Sequence, residues 1–76
     1  MNHAATAKII KERCKSLNVA VSHLLSECDI RKSLIYDLEV RNFTPSAEVL
    51  EKIADYLDCS VDYLLGRTDN PNSHKS

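Results

Sequence analysis

The sequence predicts an all-α fold of five short helices. Three observations carry that prediction. Apolar residues recur at three- and four-residue spacing along most of the chain. Breakers are scarce, with one Gly and two Pro, while Leu, Ile, Ala, Glu and Lys, which favour helix, are abundant. Cap and stop residues then divide the periodic stretches into five segments.

The first helix is expected over 6–17, with Ile9, Ile10, Cys14 and Leu17 on one stripe and Lys or Arg on much of the opposite face. Asn18 is a plausible left-handed stop. A second helix over 20–27 places Val21, Leu24, Leu25 and Cys28 inward, and "CDI" is the turn that follows. Asp29 accepts positive φ there better than most residues. A third helix over 31–40 turns Leu34, Ile35 and Leu38 inward, leaving Lys32, Ser33, Tyr36, Asp37 and Arg41 for the outward side. "RNFT" is a loop. Thr44 then reads as an N-cap with Pro45 at the first position of a fourth helix, which runs to about 57 with Val49, Leu50, Ile53, Ala54 and Leu57 on one stripe. Ser60 caps a short fifth helix, "VDYLL", and Gly66 ends it. Three segments follow: a flexible N-terminus at 1–5, one domain at 6–66, and a disordered polar tail at 67–76, "RTDNPNSHKS".

At 76 residues there is room for one small core and little for a deep enzyme pocket. Cys14, Cys28 and Cys59 form no C-x-x-C pair and have no His at ligand spacing, so they are read as small buried apolar side chains in a reducing cytosol, with no metal. Cys59 precedes a helix start, which could lower its pKa, but a structural role is preferred. His3 and His74 fall in the expected flexible ends, and His23 on a helix surface without a catalytic partner. No phosphate loop or paired-carboxylate site is present. Neither an enzyme nor a cofactor or small-molecule ligand is expected. With no signal peptide and no apolar run long enough to span a membrane, a cytoplasmic protein is expected.

The net charge is −1 but unevenly placed. Residues 1–18 carry Lys8, Lys11, Arg13 and Lys15 against Glu12, for +3, whereas 44–65 carry Glu48, Glu51, Asp55, Asp58 and Asp62 against Lys52, for −4. A dipolar molecule of this kind can meet a polyanion on one side only.

Two stretches carry a family resemblance. "PSAEVLEKIADYLDCSVDYLLG" at 45–66 is similar to the fourth- and fifth-helix block of the lambda repressor/Cro-type (Xre) helix-turn-helix domains, and "RKSLIYDLE" resembles their recognition helix, as found in small regulators of Gram-positive bacteria and their phages. The resemblance covers about 6–66 and implies a five-helix domain whose second and third helices form the helix-turn-helix. It also implies a sequence-specific regulator of double-stranded DNA that represses by occupying an operator. In that family the third helix lies in the major groove. The base-facing positions here are Arg31, Lys32, Ser33, Tyr36 and Asp37. Lys32 can donate to guanine O6/N7, Ser33 can donate or accept, and Asp37 can accept from cytosine N4. Tyr36 could stack on a sugar, touch a thymine methyl or reach a phosphate. Backbone contacts fall to Ser22 and His23 in the first turn of the second helix and to Arg41 and Asn42 in the loop. The resemblance further implies a homodimer through Tyr63, Leu64 and Leu65, reading a palindromic operator with half-sites ~34 Å apart.

The chain also departs from the family pattern. Ala20 and Val21 stand where a Ser/Thr cap and Gln are common, Leu25 where Ala is usual, Asp29 where the turn Gly is usual, and Arg31 where a capping Ser is common. These departures, with the near-neutral charge, keep a second reading open: a protein-interaction or antitoxin-like module that retains the fold with weak or no DNA binding.

Overall fold

A computed structural model describes residues 2–70, and among them the only regular elements are five helices. They are α1 (His3–Ser16), α2 (Val21–Glu27), α3 (Leu34–Val40), α4 (Ala47–Tyr56) and α5 (Val61–Leu64). α1 packs against α2, α3 and α5, and α4 packs on α5. The core gathers Ile10 and Cys14 of α1, Leu24 and Leu25 of α2, Leu34 and Leu38 of α3, Ile53 and Leu57 at α4, and Leu64 of α5. These come from the stripes that the periodicity picked out, except that Leu17, expected on the α1 stripe, is its exposed C-cap, and their burial supplies the main driving force of a domain this small.

One local device ends every helix. The residue after each C-cap has positive φ: Asn18 (59°), Asp29 (56°), Asn42 (52°), Asp58 (53°) and Gly66 (76°). Asn and Asp tolerate this region because their side chains are short and polar; Gly has no Cβ to clash. After four of the five helices the next two N–H groups fold back onto the last turn. At α1, Val19 N donates to Cys14 O at 2.8 Å and Asn18 N to Lys15 O at 3.1 Å. Ile30 N to Leu25 O, Cys59 N to Ala54 O, and Arg67 N to Asp62 O repeat the closure. Carbonyls that a helix end leaves without partners are satisfied this way. α3 closes differently, because Phe43 N reaches back to Asp37 O at 3.0 Å.

Helix starts differ from the sequence reading in three places. α1 begins at His3 rather than at 6, since Asn2 is its cap and accepts from Ala5 N at 3.0 Å. His3 lies within this helix, and its Nε2 sits 2.8 Å from Thr44 Oγ1. Thr44 is therefore not the cap of α4. Ser46 is, accepting from Val49 N at 3.3 Å, and Pro45 lies buried just ahead of it. α3 begins at Leu34, with 31–33 in a turn rather than in the helix. Ser60 caps α5 as expected, accepting from Tyr63 N at 3.0 Å. Of the expected polar tail, 71–76 lie outside the described residues.

Candidate nucleic-acid interface

The stretch from α2 through α3 to the following loop holds every sequence-predicted contact residue for nucleic acid. α2 ends at the left-handed Asp29, whose backbone turns the chain within two residues. Ile30 packs against the core, and 31–33 cross to the start of α3. Leu34 and Leu38 anchor α3 inward. Arg31, Lys32, Ser33 and Tyr36 are exposed, with Tyr36 at 55%. A tyrosine left open on a helix otherwise anchored by leucines is available for contact rather than packing.

Asp37 corrects the expectation of an outward, base-facing acid. It is 3% exposed. Its Oδ2 accepts from Ser33 Oγ at 3.0 Å and from Arg31 Nη1 at 3.4 Å, and its Oδ1 lies 3.9 Å from Arg41 Nε. A carboxylate with these neighbours is not free to accept from cytosine. Ser33 is the N-cap residue of α3 but, at φ −85° and ψ 5° rather than in extended geometry, makes no side-chain cap bond, and its hydroxyl donates to Asp37.

The two arginines each meet an aromatic ring. The Arg31 guanidinium lies 5.3 Å from the centre of Phe43, and that of Arg41 lies 6.0 Å from the centre of Tyr36. Stacking of this kind holds a cation without cancelling its charge. Sequence reasoning missed Phe43. The signal was its aromatic ring in the otherwise polar loop "RNFT". Lys32 has no ion pair or side-chain hydrogen bond among the described residues. Asn42 is exposed in its left-handed position. On α2, Ser22 and His23 are both exposed. His23 does have neighbours: Glu27 Oε1 lies 3.9 Å from its Nε2, and Tyr56 stands edge-on at 6.4 Å between ring centres. Those neighbours draw its ring towards α4.

The basic side of α1 is largely committed within the chain, with Lys15 left exposed. Lys11 pairs with Glu39 at 2.9 Å, and Lys8 lies 3.9 Å from Glu12. Arg13 donates to Leu57 O at 3.0 Å and Asp58 O at 3.3 Å, satisfying carbonyls at the end of α4. The exposed cations around α3 are Arg31, Lys32 and Arg41, and the anion among them, facing both arginines, is the buried Asp37.

The expected dimer surface is also corrected. Leu64 is fully buried, at 0% exposure, within the core of the single chain. The α5 periodicity turns it inward, so it has no surface to offer a second copy. Tyr63 and Leu65 are only partly buried.

Cys14, Cys28 and Cys59 are buried free thiols. Burial raises the Cys14 pKa above its ordinary value, and burial is also the main reason that Cys28 is raised, with Lys52 opposing and Glu27 reinforcing. Neither Cys14 nor Cys28 is poised as a nucleophile. Among the described residues, no cluster of His, Cys, Asp and Glu could hold a metal ion, and no helix is long and apolar enough to cross a membrane.

A helix-turn-helix family model matches residues 10–64. No curated protein and no solved structure matches the chain. The matched span covers most of the chain and all or part of all five helices, with the turn and α3 at its centre. The chain belongs to the helix-turn-helix family of lambda repressor/Cro (Xre) type, a family of DNA-binding regulators.

Proposed function

We propose that this protein is a sequence-specific regulator of double-stranded DNA, acting as a small dimeric repressor. Repression comes from occupying a palindromic operator and needs no chemistry of the protein's own, so the work is done in the cytoplasm, where the DNA is. One observation carries the reading: Arg31, Lys32, Ser33, Tyr36 and Arg41 follow α3 from the turn before it to its C-cap as an exposed, cation-rich set within a helix-turn-helix frame.

The roles divide by chemistry. Lys32, free of partners, donates to the guanine O6/N7 edge. Arg31 and Ser33 stand beside it at the same end of α3. Tyr36 meets a thymine methyl or the sugar. Arg41 and Asn42 after α3, with Ser22 and His23 at the start of α2, hold phosphates and set register. Asp37 is withdrawn from base reading by its burial. One short helix reads few bases, so a second copy is needed for an operator-length site. Tyr63 and Leu65 offer the partly open apolar surface for it.

A second reading rests on Val40, which is 60% exposed on α3. With a net charge of −1, this exposed side chain suits a protein partner, as in an antitoxin-like module.

Selection from a random duplex library, at low and then near-physiological salt, tests the proposal. A palindromic motif that survives the higher salt is the expected result. Enrichment of no sequence, with binding that vanishes as salt rises, would leave only counterion release and turn the search to protein partners.

A further inference from the structure

We infer that Asp37 is a positioning residue for DNA recognition: one buried carboxylate on α3 aims two arginines, Arg31 and Arg41, at the duplex. This rests on the DNA-reading function proposed above and assigns the device that gives its selectivity.

Asp37 works as a joint. Its carboxylate gathers the Ser33 hydroxyl and the Arg31 guanidinium on Oδ2 and faces Arg41 from Oδ1. Its backbone carbonyl accepts from both Arg41 N at 3.1 Å and Phe43 N at 3.0 Å. The turn before α3 and the loop after it are thus tied to one residue. Each arginine lies between this carboxylate and an aromatic ring: Arg31 donates to Asp37 and stands over Phe43, while Arg41 faces Asp37 at 3.9 Å and Tyr36 at 6.0 Å. A loose surface arginine gives up its rotamer freedom only when it binds. These two have given up part of it beforehand, so a correctly placed duplex meets guanidinium groups already in position.

The arrangement also has a cost that argues for selection rather than grip. A negative charge among the DNA-facing cations weakens attraction to every phosphate. Simple affinity would be served better by an uncharged residue at this position. The carboxylate is useful only if directing the arginines matters more than that loss.

The test compares wild type, Asp37→Asn and Phe43→Leu. Each is assayed against the selected duplex and a scrambled duplex across a salt series. Arginine Nε order is measured by nitrogen relaxation in the free proteins. Asp37→Asn is expected to lose roughly tenfold in the ratio of specific to non-specific affinity, while binding to the scrambled duplex tightens and order at both Nε groups falls. Phe43→Leu leaves the carboxylate in place. It should lower the ratio by less and loosen Arg31 alone.

A folded Asp37→Asn with an unchanged ratio, or with both arginines as ordered as before, overturns the inference. Equal tightening on both duplexes does so too, since that is plain charge repulsion. If Asp37→Asn does not fold, Phe43→Leu decides: an unchanged ratio with Arg31 still ordered overturns it. If wild type selects no duplex, the DNA-reading function fails and this inference falls with it. The Nε order in the free proteins then shows separately whether the clamp exists.

Discussion

Arg13 and Lys32 carry the same charge and serve opposite ends. Arg13 spends its guanidinium on the carbonyls of Leu57 and Asp58, at the negative end of α4. Arg13→Ala removes both bonds and is expected to lower stability by about 1–2 kcal/mol. In a domain of this size that is a Tm drop of roughly 4–15 °C, with the selected DNA motif unchanged. Lys32 makes no hydrogen bond or ion pair among the described residues. Lys32→Ala should leave the Tm in place and weaken the cognate duplex by ~1–3 kcal/mol. Calorimetry and a binding titration on the two variants separate the roles; unchanged cognate affinity in Lys32→Ala would remove it as a base contact. Asp37 stands between these cases, since its position in the sequence makes it look like a reader and its burial makes it a support.

At the scale of the element, α2 starts without a side-chain cap bond, as α3 does. Its cap position is Ala20, at φ −71° and ψ 138°, extended geometry with no side-chain bond to the first turn. Ser fits that backbone and would accept from an N–H left open. Ala20→Ser should stabilise the domain by ~0.5–1 kcal/mol, read as a raised denaturant midpoint with unchanged slope. α5 is the opposite case. It is a single turn, yet Leu64 is sealed in the core while its neighbour Leu65 is partly open. Leu64→Ala should cost about 2–5 kcal/mol in the folded single chain, whatever the oligomeric state. Leu65→Glu should cost far less and halve the sedimenting mass if α5 forms the dimer contact. A Leu65→Glu protein that stays dimeric would move the interface elsewhere.

For the molecule as a whole, two sealed thiols set a limit at alkaline pH. Cys14 and Cys28 have folded-state pKa values raised above the ordinary 9.0 by burial. Below that pH both folded and unfolded chains keep the thiols protonated. Above it the unfolded chain ionises first, so unfolding releases protons and becomes easier. Stability should be flat below about pH 8 and fall as pH rises past about 9, a fall that Cys14→Ala and Cys28→Ala together would reduce. Denaturant midpoints across that range measure it. The charge dipole read from the sequence is likewise redistributed by folding. Lys11 and Arg13 are taken up by Glu39 and by the end of α4, which leaves Lys15 as the exposed cation of α1 without an ion pair among the described residues and the group Arg31, Lys32 and Arg41 around α3.

Five helices, their inward stripes, the Ser60 cap and the left-handed stops at Asn18, Asp29 and Gly66 were legible because each depends on residues a few positions apart. Asn42 and Asp58 were legible in principle, since the same chemistry ends α3 and α4. The Asn2 cap was passed over for lack of an apolar stripe beside it. The hydrogen bond that gives Thr44 to His3 joins residues 41 apart, and no local rule distinguishes that partner from the cap of α4. The candidate interface divides the same way. That Arg31, Lys32, Ser33, Tyr36 and Arg41 are clustered follows from their spacing around one short helix. That Asp37 faces inward, that Phe43 supports Arg31 and that Leu64 is sealed depend on which surfaces meet when the chain closes. By itself the sequence determined helix periodicity, caps and the helix-turn-helix register, all short-range matters of backbone geometry and hydrophobic pattern. Only the tertiary structure decided which polar groups stay open to a duplex, because burial and pairing are properties of surfaces brought together from distant parts of the chain.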